Sequence, residues 1–549
     1  MPQTLRVPML TLIAALFALS LAACNSGTKP APGGEPSDKV SEAGETVQVN
    51  TDKDTLHLTI AGDPETLDVG KMSGAPEGRI AFNCFEGLWM PAAASGPPVY
   101  AAAESHTVSE DGHVWTMKLR KDAKWSNGDP VTAHDFAYAW KRVLTPGFDA
   151  DYAEMLDVLK GAEAFRKGET DKWEDVGVKA LDDHTLEVTL KNPTPYLAEL
   201  FAFYTFFPVH KASVEKFGEH WTQVGNYITN GPYKLTAFEH QQFMLLETNE
   251  HYWGAKDLKI AKIKLHIIKD NSAQLNAFKS GQIDVMAGGI PIGKIPALKG
   301  MKEFRIDPLL GTYYYKVNVK GNEALAKPLV RKALALSVDR KAITQRTMKG
   351  LPAPAEGFVP PMDGYTQTTR LTFDPDKARE LLKEAGYPNG EGFPETTLLF
   401  NTDENHKLLA EILQDMWGRE LNIKLKLENM EWKTYLDAVD KGNYQIARAG
   451  WIGDYSDPET FLIIMMTGNG NNDTGWGSEA YDKLIKDAQA EVDPAKRIAM
   501  LAKAEELVME EMPIIPIYTY RNPMLISSRV VGLEPHNRDV HLVKYLSLK

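Results

Sequence analysis

The segment "ARAGWIGDYSDPETF", Ala447 to Phe461, governs how the rest of the chain is read. It begins as a buried strand would, turns acidic at Asp454 and Asp457, and carries Trp451, Tyr455 and Phe461 among those charges. A solvated loop accounts for the aspartates but not the aromatics, and a core strand accounts for the aromatics but not for Arg448 and Asp454. Two readings stay open from the residues alone: Arg448 and Asp454 pair with each other or with scaffold groups, or they are kept for a ligand.

Outward from this segment, the bounds are set by length and charge. A chain of 549 residues, 43% hydrophobic and 25% charged, can bury large cores and divides into two to four domains. Its 61 Lys and Arg against 74 Asp and Glu give a balance of -13, which repels polyanions and leaves no footprint for nucleic acid.

The first residues, "MPQTLRVPMLTLIAALFALSLAAC", place an apolar run from Val7 to Ala23 after Arg6, too short for a membrane span and followed by small residues. This is the pattern of a signal peptide. Its end, Leu21-Ala22-Ala23-Cys24, resembles the lipobox of bacterial lipoproteins, in which the cysteine becomes the lipid-modified first residue; the alternative is ordinary signal-peptidase cleavage with Cys24 incidental. The other cysteine, Cys84 in "AFNCFEGLW", reads as core, since a nucleophile would need a His and an orienting group. With Cys24 acylated, the monomer forms no internal disulfide. Residues 25–50, rich in Pro, Gly, Ser and Glu, read as a flexible tether spanning on the order of 25 to 30 Å.

From Thr55 onward strands and helices intermix. "HVWTMKLR" (His113 to Arg120) and "NIKLKLE" (Asn422 to Glu428) alternate apolar and polar residues as one-face strands do. "DPDKARELLKEAGYPNG" has Asp374 as N-cap, Pro375 at the first helical position, and Gly386 and Pro388 beyond the last periodic residue. "NAFKSGQIDVM" passes from helix through Gly281 to strand, and "LAKAEELVMEEMPIIPIYTY" from helix through Pro513 to strand. The class is mixed α/β.

Catalytic signatures fail on inspection. "GGIPIGKI" has Gly288, Gly293 and Lys294 at phosphate-loop spacing, but Ile295 stands where a hydroxyl must hold magnesium. The 13 histidines form no H-E-x-x-H pair, no G-x-S-x-G elbow occurs, and "GNGNNDTGWG" lacks the acidic alternation of a calcium loop. Asp182 and Asp183 in "ALDDHTLEVTL" read as a turn before a strand. Nothing here supports an enzyme, a cofactor or a metal site.

The long segment from Ala103 to Arg142, "AESHTVSEDGHVWTMKLRKDAKWSNGDPVTAHDFAYAWKR", resembles the signature region of the family 5 extracytoplasmic solute-binding proteins that serve peptide importers. So do "DVGVKALDDHTLEVTL", "VEKFGEHWTQVGNYITNGPYKL", "GTYYYKVNV", "LENMEWKTYLD" and the segment first quoted. Within the family the likeness is greatest to the periplasmic oligopeptide-binding proteins of Gram-negative bacteria, and it runs from about Thr55 nearly to the C-terminus. It implies a two-lobed, class II-like periplasmic-binding-protein fold with a hinge and mixed sheets, plus a third domain. Domain I would comprise 50–85, 209–310 and 521–549, domain II 86–208, and domain III 311–520. Ligand would lie between domains I and III and be enclosed by hinge closure, a motion for which periplasmic binding proteins are a standing example.

The resemblance also implies roles. A peptide is held as an extended strand by main-chain pairing, which suits any sequence because every residue offers N–H and C=O. The matching segments are Ser73, Gly74 and Ala75 on one side and Gly450, Trp451 and Ile452 on the other. Asp454 matches the carboxylate that receives the α-ammonium, and Arg448 and His406 match residues that receive the α-carboxylate of peptides of different lengths. Trp432, Trp451 and Tyr152 would line side-chain pockets, although large aromatics are as readily core. Val439 and Met348 fall where relatives carry basic residues, and "MAGGIP" replaces an amide-rich stretch, so a preference for peptides of roughly three to four residues is expected. The implied protein is a periplasmic, lipid-anchored monomer that delivers short peptides to an ABC permease and its ATPase subunits. A binder of cell-wall peptides, a secreted hydrolase and a chaperone-like protein are the alternatives.

Overall fold

Strands Phe304–Val317 and Ile514–Ile526 run antiparallel over nearly their whole length and carry the other strands of the large sheet on either side. Tyr313, Tyr314 and Tyr315 are buried in succession, so both faces of this strand are covered, as a central strand requires. The computed structural model describes residues 47–549 apart from 195 and 363. The leader, Cys24 and residues 25–46 of the expected tether lie outside the described residues. Its last residues are coil, with Val47 packed against the cluster around Phe278 and Gln48 N donating to Lys279 O at 2.9 Å.

Among the described residues the large sheet has eleven strands. Its order is Leu425–Met430, Thr396–Asn401, Ile446–Ile452, Phe304–Val317, Ile514–Ile526, Val285–Ala287, Thr55–Ile60, Lys262–Ile267, Phe243–Thr248 and Tyr233–Glu239, with Ala353–Pro354 beside Ile514–Ile526. Pairing is parallel around Thr55–Ile60 and Thr396–Asn401 and antiparallel elsewhere, so the sheet is mixed. The two central strands slip in register between Pro308, opposite Arg521, and Thr312, opposite Thr519. Pro308 has no N–H to give the ladder, which locates the slip. On one side of it the spine pairs with Val285–Ala287, on the other with Ile446–Ile452.

A separate antiparallel sheet joins Ala103–Val108, Val114–Leu119, Thr185–Thr189 and Val178–Asp182. In the strand expected from "HVWTMKLR", Met117 and Leu119 are buried and Trp115 half-buried, so the alternation does select one covered face. Asp182 closes the turn expected at "LDDH", its Oδ1 accepting from His184 N at 2.8 Å.

Helix ends follow their sequence signals. Asp374 Oδ1 accepts from Lys377 N at 2.9 Å and starts Pro375–Glu384, which stops before Gly386 at φ 97°. Thr132 and Asp135 form a capping box at the head of Ala133–Leu144. One boundary differs. The strand expected from Asn422 begins at Leu425, because Asn422 is left-handed (φ 55°) and caps Glu404–Leu421. Cys84 is fully buried and its thiol is pushed up by burial, which fits the core reading.

Candidate functional site

Strand Ile446–Ile452 is paired along one edge with Phe304–Val317, from Ile446 opposite Val317 to Ile452 opposite Gly311. Along its other edge, strand Thr396–Asn401 meets only Ile446 and Ala447. From Arg448 to Ile452 no strand among the described residues takes the second edge. Ala447, Ala449 and Trp451 are buried, whereas Arg448, Gly450 and Ile452 keep part of their surface, and that surface faces a cavity of about 240 Å³.

Facing this edge is the segment that opens helix Ala75–Cys84: Ser73, Gly74 and Ala75 line the same cavity, with Gly74 extended at φ -90°, ψ 153°. Tyr152, Trp432, Trp451 and Asp454 complete the part of the wall expected from the sequence. Thus of the named candidates among the described residues the structure brings together all but His406. Tyr204, Tyr520, Arg538 and His541, absent from the sequence reading, also line the cavity. Their local sequences carry no motif; Tyr520 arrives on the long Ile514–Ile526 strand and Arg538 on the segment after it.

Close packing explains two of the glycines. A Cβ at Gly450 would stand 2.2 Å from the Tyr520 hydroxyl, and one at Gly74 would stand 2.1 Å from Glu77 Oε2. Only a hydrogen fits at either position without moving a neighbour.

Arg448 and Asp454 do not pair with each other. Arg448 Nη2 donates to Tyr520 Oη at 3.1 Å and Nη1 reaches Asn401 Oδ1 at 3.5 Å, while Nε has no partner and the guanidinium lies 5.0 Å from the centroid of the Tyr313 ring. Among the described residues no carboxylate comes within 4 Å of it. Asp454 is half-buried, its exposed part facing the cavity. Tyr152 Oη and Thr460 Oγ1 approach its carboxylate oxygens at 3.4 Å each, and Arg538 spends its Nη1 on the main-chain oxygen of Asp454 and on Glu199. Burial pushes the Asp454 carboxyl up to about 8, against the lowering influence of Arg538.

His406 sits behind this wall. Its main-chain N–H is capped by Asp403 Oδ1 at 2.9 Å, and its Nδ1 is 3.3 Å from Tyr313 Oη. Burial, then the Arg448 charge, push it down to about 3, so the ring is neutral. Val439 and Met348 are buried in the core. Two larger cavities, of about 830 and 800 Å³, contain none of the candidate residues.

Residues 97–473 match the family described as bacterial extracellular solute-binding proteins, family 5 Middle. The chain is 37% identical over 535 residues to the oligopeptide-binding protein OppA of Bacillus subtilis, covering 94% of this chain and 95% of that one. Among solved structures it is similar to Haemophilus influenzae OppA in complex with RPPGFSPFR, with a TM-score of 0.87 at 34% identity, covering 91% of this chain and all of that one. It is equally similar, at a TM-score of 0.87 and 34% identity over 91% of this chain and 99% of that one, to the Escherichia coli murein tripeptide binding protein MppA. Against the unliganded open form of MppA the TM-score is 0.61 at the same identity, with 91% of this chain and 98% of that one covered.

Proposed function

Since the chain belongs to the family 5 bacterial extracellular solute-binding proteins, we propose that it captures short oligopeptides and hands them to an ABC permease with separate ATPase subunits. The observation that carries this reading is the unpaired Arg448–Ile452 edge, with a guanidinium that has no carboxylate within 4 Å at one end and an uncompensated carboxylate just past the other. A peptide is a strand with an ammonium at one end and a carboxylate at the other. Added to this edge, it would satisfy main-chain groups beyond Arg448, whose own oxygen already accepts from Tyr435 Oη.

Asp454 takes the α-ammonium and Arg448 the α-carboxylate. Ser73 to Ala75 approach the peptide main chain from the opposite side, and Trp432, Trp451 and Tyr152 shape the room for side chains. Arg448 and Asp454 are six residues apart, at most about 20 Å along an extended chain, which suits the expected length of three to four residues once both side chains reach inward. His406, being neutral, would serve a longer or shorter peptide only as a hydrogen-bond donor. Broad sequence tolerance follows from main-chain recognition, and water adapts the pockets.

The three-domain division implied by the resemblance gives the mechanism of enclosure. The register slip at Pro308 to Thr312 would serve as the flexible point of the spine. Acylation of Cys24 would hold the monomer at the membrane of a Gram-negative bacterium by a tether, with the peptide site in the periplasm.

Native mass spectrometry of the purified protein, followed by calorimetric titration of di- to hexapeptides and a murein tripeptide, tests the reading. Peptide mass that copurifies with the wild type and is lost in Asp454→Ala supports it. No copurifying peptide and no saturable binding by the wild type would refute it; hydrolysis of the added peptide would move the protein to the enzymes. Equal affinity for hexapeptides would remove the length preference, and selective binding of the murein tripeptide would make that the ligand.

A further inference from the structure

The main chain and the side chain of Asp454 are served unequally. Its N–H donates to Thr460 Oγ1 at 3.0 Å and its main-chain oxygen accepts from Arg538 Nη1 at 2.5 Å, so both main-chain groups are satisfied. The carboxylate has only the long approaches of Tyr152 and Thr460, at 3.4 Å each. Yet Arg538 lines the same cavity, its side chain is 8% exposed, and its charge acts on the Asp454 carboxyl more strongly than anything except burial. A guanidinium so placed ordinarily takes the carboxylate in a direct pair. Among the described residues it does not: the one carboxylate within 4 Å of Arg538 is that of Glu199.

Glu199 explains the difference. Its Oε2 lies 3.3 Å from the same Arg538 Nη1 that reaches the Asp454 main-chain oxygen, and it also accepts from Ser456 N at 3.0 Å. It stands in the short helix Leu197–Phe201, whose N-cap Tyr196 stacks on Tyr455 with ring centroids 4.5 Å apart and planes 7° from parallel. Stack and carboxylate together hold residues 196–199 against residues 454–456. The main-chain and carboxylate oxygens of Asp454 belong to one residue, so a small rotation of the guanidinium would exchange one for the other. Arg538 Nε has no partner, and the rotation would cost no bond there. The pull of Glu199 on Nη1 opposes it.

The charge count gives this a purpose. Two carboxylates share one guanidinium, which leaves one negative charge over. Paired with Asp454 alone, Arg538 would neutralise it and exclude a second cation; shared with Glu199, it leaves room for one more positive charge. An α-ammonium brings that charge.

We propose that Glu199 is a specificity-determining residue: by drawing Arg538 to itself and to the main-chain oxygen of Asp454, it keeps the Asp454 carboxylate free for the α-ammonium of a bound peptide. The inference rests on the peptide-binding reading and adds to it the residue that stops a cation of the protein from taking the ligand's place. A clamp that merely stiffened residues 454–456 would behave differently, since removing its second arm could only loosen it further.

The test titrates the full-length protein calorimetrically at pH 7 with trialanine and with propionyl-dialanine, the same molecule with hydrogen in place of the ammonium. Wild type should bind trialanine at least about tenfold more tightly. Glu199→Gln should reduce that ratio several-fold, because Arg538 is released to pair with Asp454. Glu199→Ala, which leaves no amide behind, should do the same and serves if the Gln variant does not fold. Adding Arg538→Met to either should raise the ratio again, because the competing cation is gone. Each ratio is taken within one variant and so is insensitive to its overall affinity. If the wild-type ratio survives the loss of Glu199, or if adding Arg538→Met lowers the ratio further, the proposal is wrong and peptide binding stands. If wild type binds both compounds alike, the α-ammonium role of Asp454 falls with it, and if neither binds saturably the peptide reading is wrong as well.

Discussion

Tyr520 accepts a hydrogen bond from Arg448 Nη2 at 3.1 Å, and the same hydroxyl occupies the place where a side chain at residue 450 would begin. One phenol therefore orients the guanidinium and keeps the strand edge bare beside it. Gly450→Ala should force Tyr520 aside at a cost of about 1–3 kcal/mol in urea denaturation. Adding Tyr520→Phe to that variant removes the 2.2 Å conflict and leaves contacts from 3.1 Å outward, so part of the loss should return. A double variant no more stable than Gly450→Ala would show that the clash is not the cause.

Arg448 holds a charge with no carboxylate within 4 Å among the described residues; Asp403 acts on it only from farther away. Arg448→Met should leave the melting temperature of the empty protein unchanged or raise it, since it replaces an unpaired buried guanidinium by an apolar side chain of similar length. Peptide affinity should fall by about 2–5 kcal/mol. Thermal scans with and without peptide check both halves, and a marked drop in the melting temperature of the empty protein would count against a ligand role.

The raised pKa of Asp454 sets a pH dependence of definite sign. The folded carboxyl titrates near 8 and the unfolded one near 3.8, so between these values the folded state binds more protons. Stability of the empty protein then falls as pH rises from about 4 to about 8. Asp454→Asn should flatten the dependence relative to wild type in melting temperatures measured across that range. Binding an α-ammonium requires the ionised form, so wild type should release protons on binding peptide at pH 7. Calorimetry in buffers of different ionisation enthalpy reads that release, which the Asn variant should lose.

Arg497 stabilises the segment that follows Asp454. Its Nη1 donates to Asp457 Oδ2 and its Nη2 to Glu459 Oε2, both at 2.6 Å, and Tyr196 Oη donates to the same Glu459 oxygen at 2.5 Å. Arg497→Met leaves the buried Glu459 and the half-buried Asp457 carboxylates without a cation and should cost about 3–5 kcal/mol in chemical denaturation. Tyr196→Phe, which removes one donor and no charge, should cost about 1–3 kcal/mol.

Cys84, fully buried and with its thiol pushed up, should resist thiol reagents in the folded protein and react once denaturant unfolds it. Rapid labelling of the native protein would contradict the buried placement.

Local features were legible where local chemistry decides them. Asp374, Pro375 and Gly386 bound a helix because capping and left-handed glycine act within one turn. The strand in "ARAGWI" was legible because its apolar residues alternate. The boundary at Asn422 was not, since an asparagine that leaves a helix left-handed has the same apolar-polar context as one that starts a strand. The site lay at the other extreme. Arg448 and Asp454 could be read as ligand groups only through family resemblance, because whether two charges pair depends on where tertiary structure sends them. Glu77 stands in the first turn of a helix, where a glutamate ordinarily faces water, and its full burial follows from tertiary packing that no local pattern announces. Tyr520 and Arg538 belong to the site because the Ile514–Ile526 strand delivers them there.

The arrangement of the large sheet also governs when the molecule can exist at all. Strand Thr55–Ile60 is made early, yet its neighbours are Lys262–Ile267 and Val285–Ala287, and the latter is held in turn by Ile514–Ile526. Arg529 then bonds Asp284 and the main-chain oxygen of Thr55, binding the early strand to a residue synthesised almost last. A nascent chain therefore has no complete large sheet to fold into until nearly its whole length has been made. The delay belongs to the large sheet alone: the separate sheet from Ala103 to Thr189 uses only its own early residues, so the two sheets of one chain become foldable at widely separated stages of its synthesis.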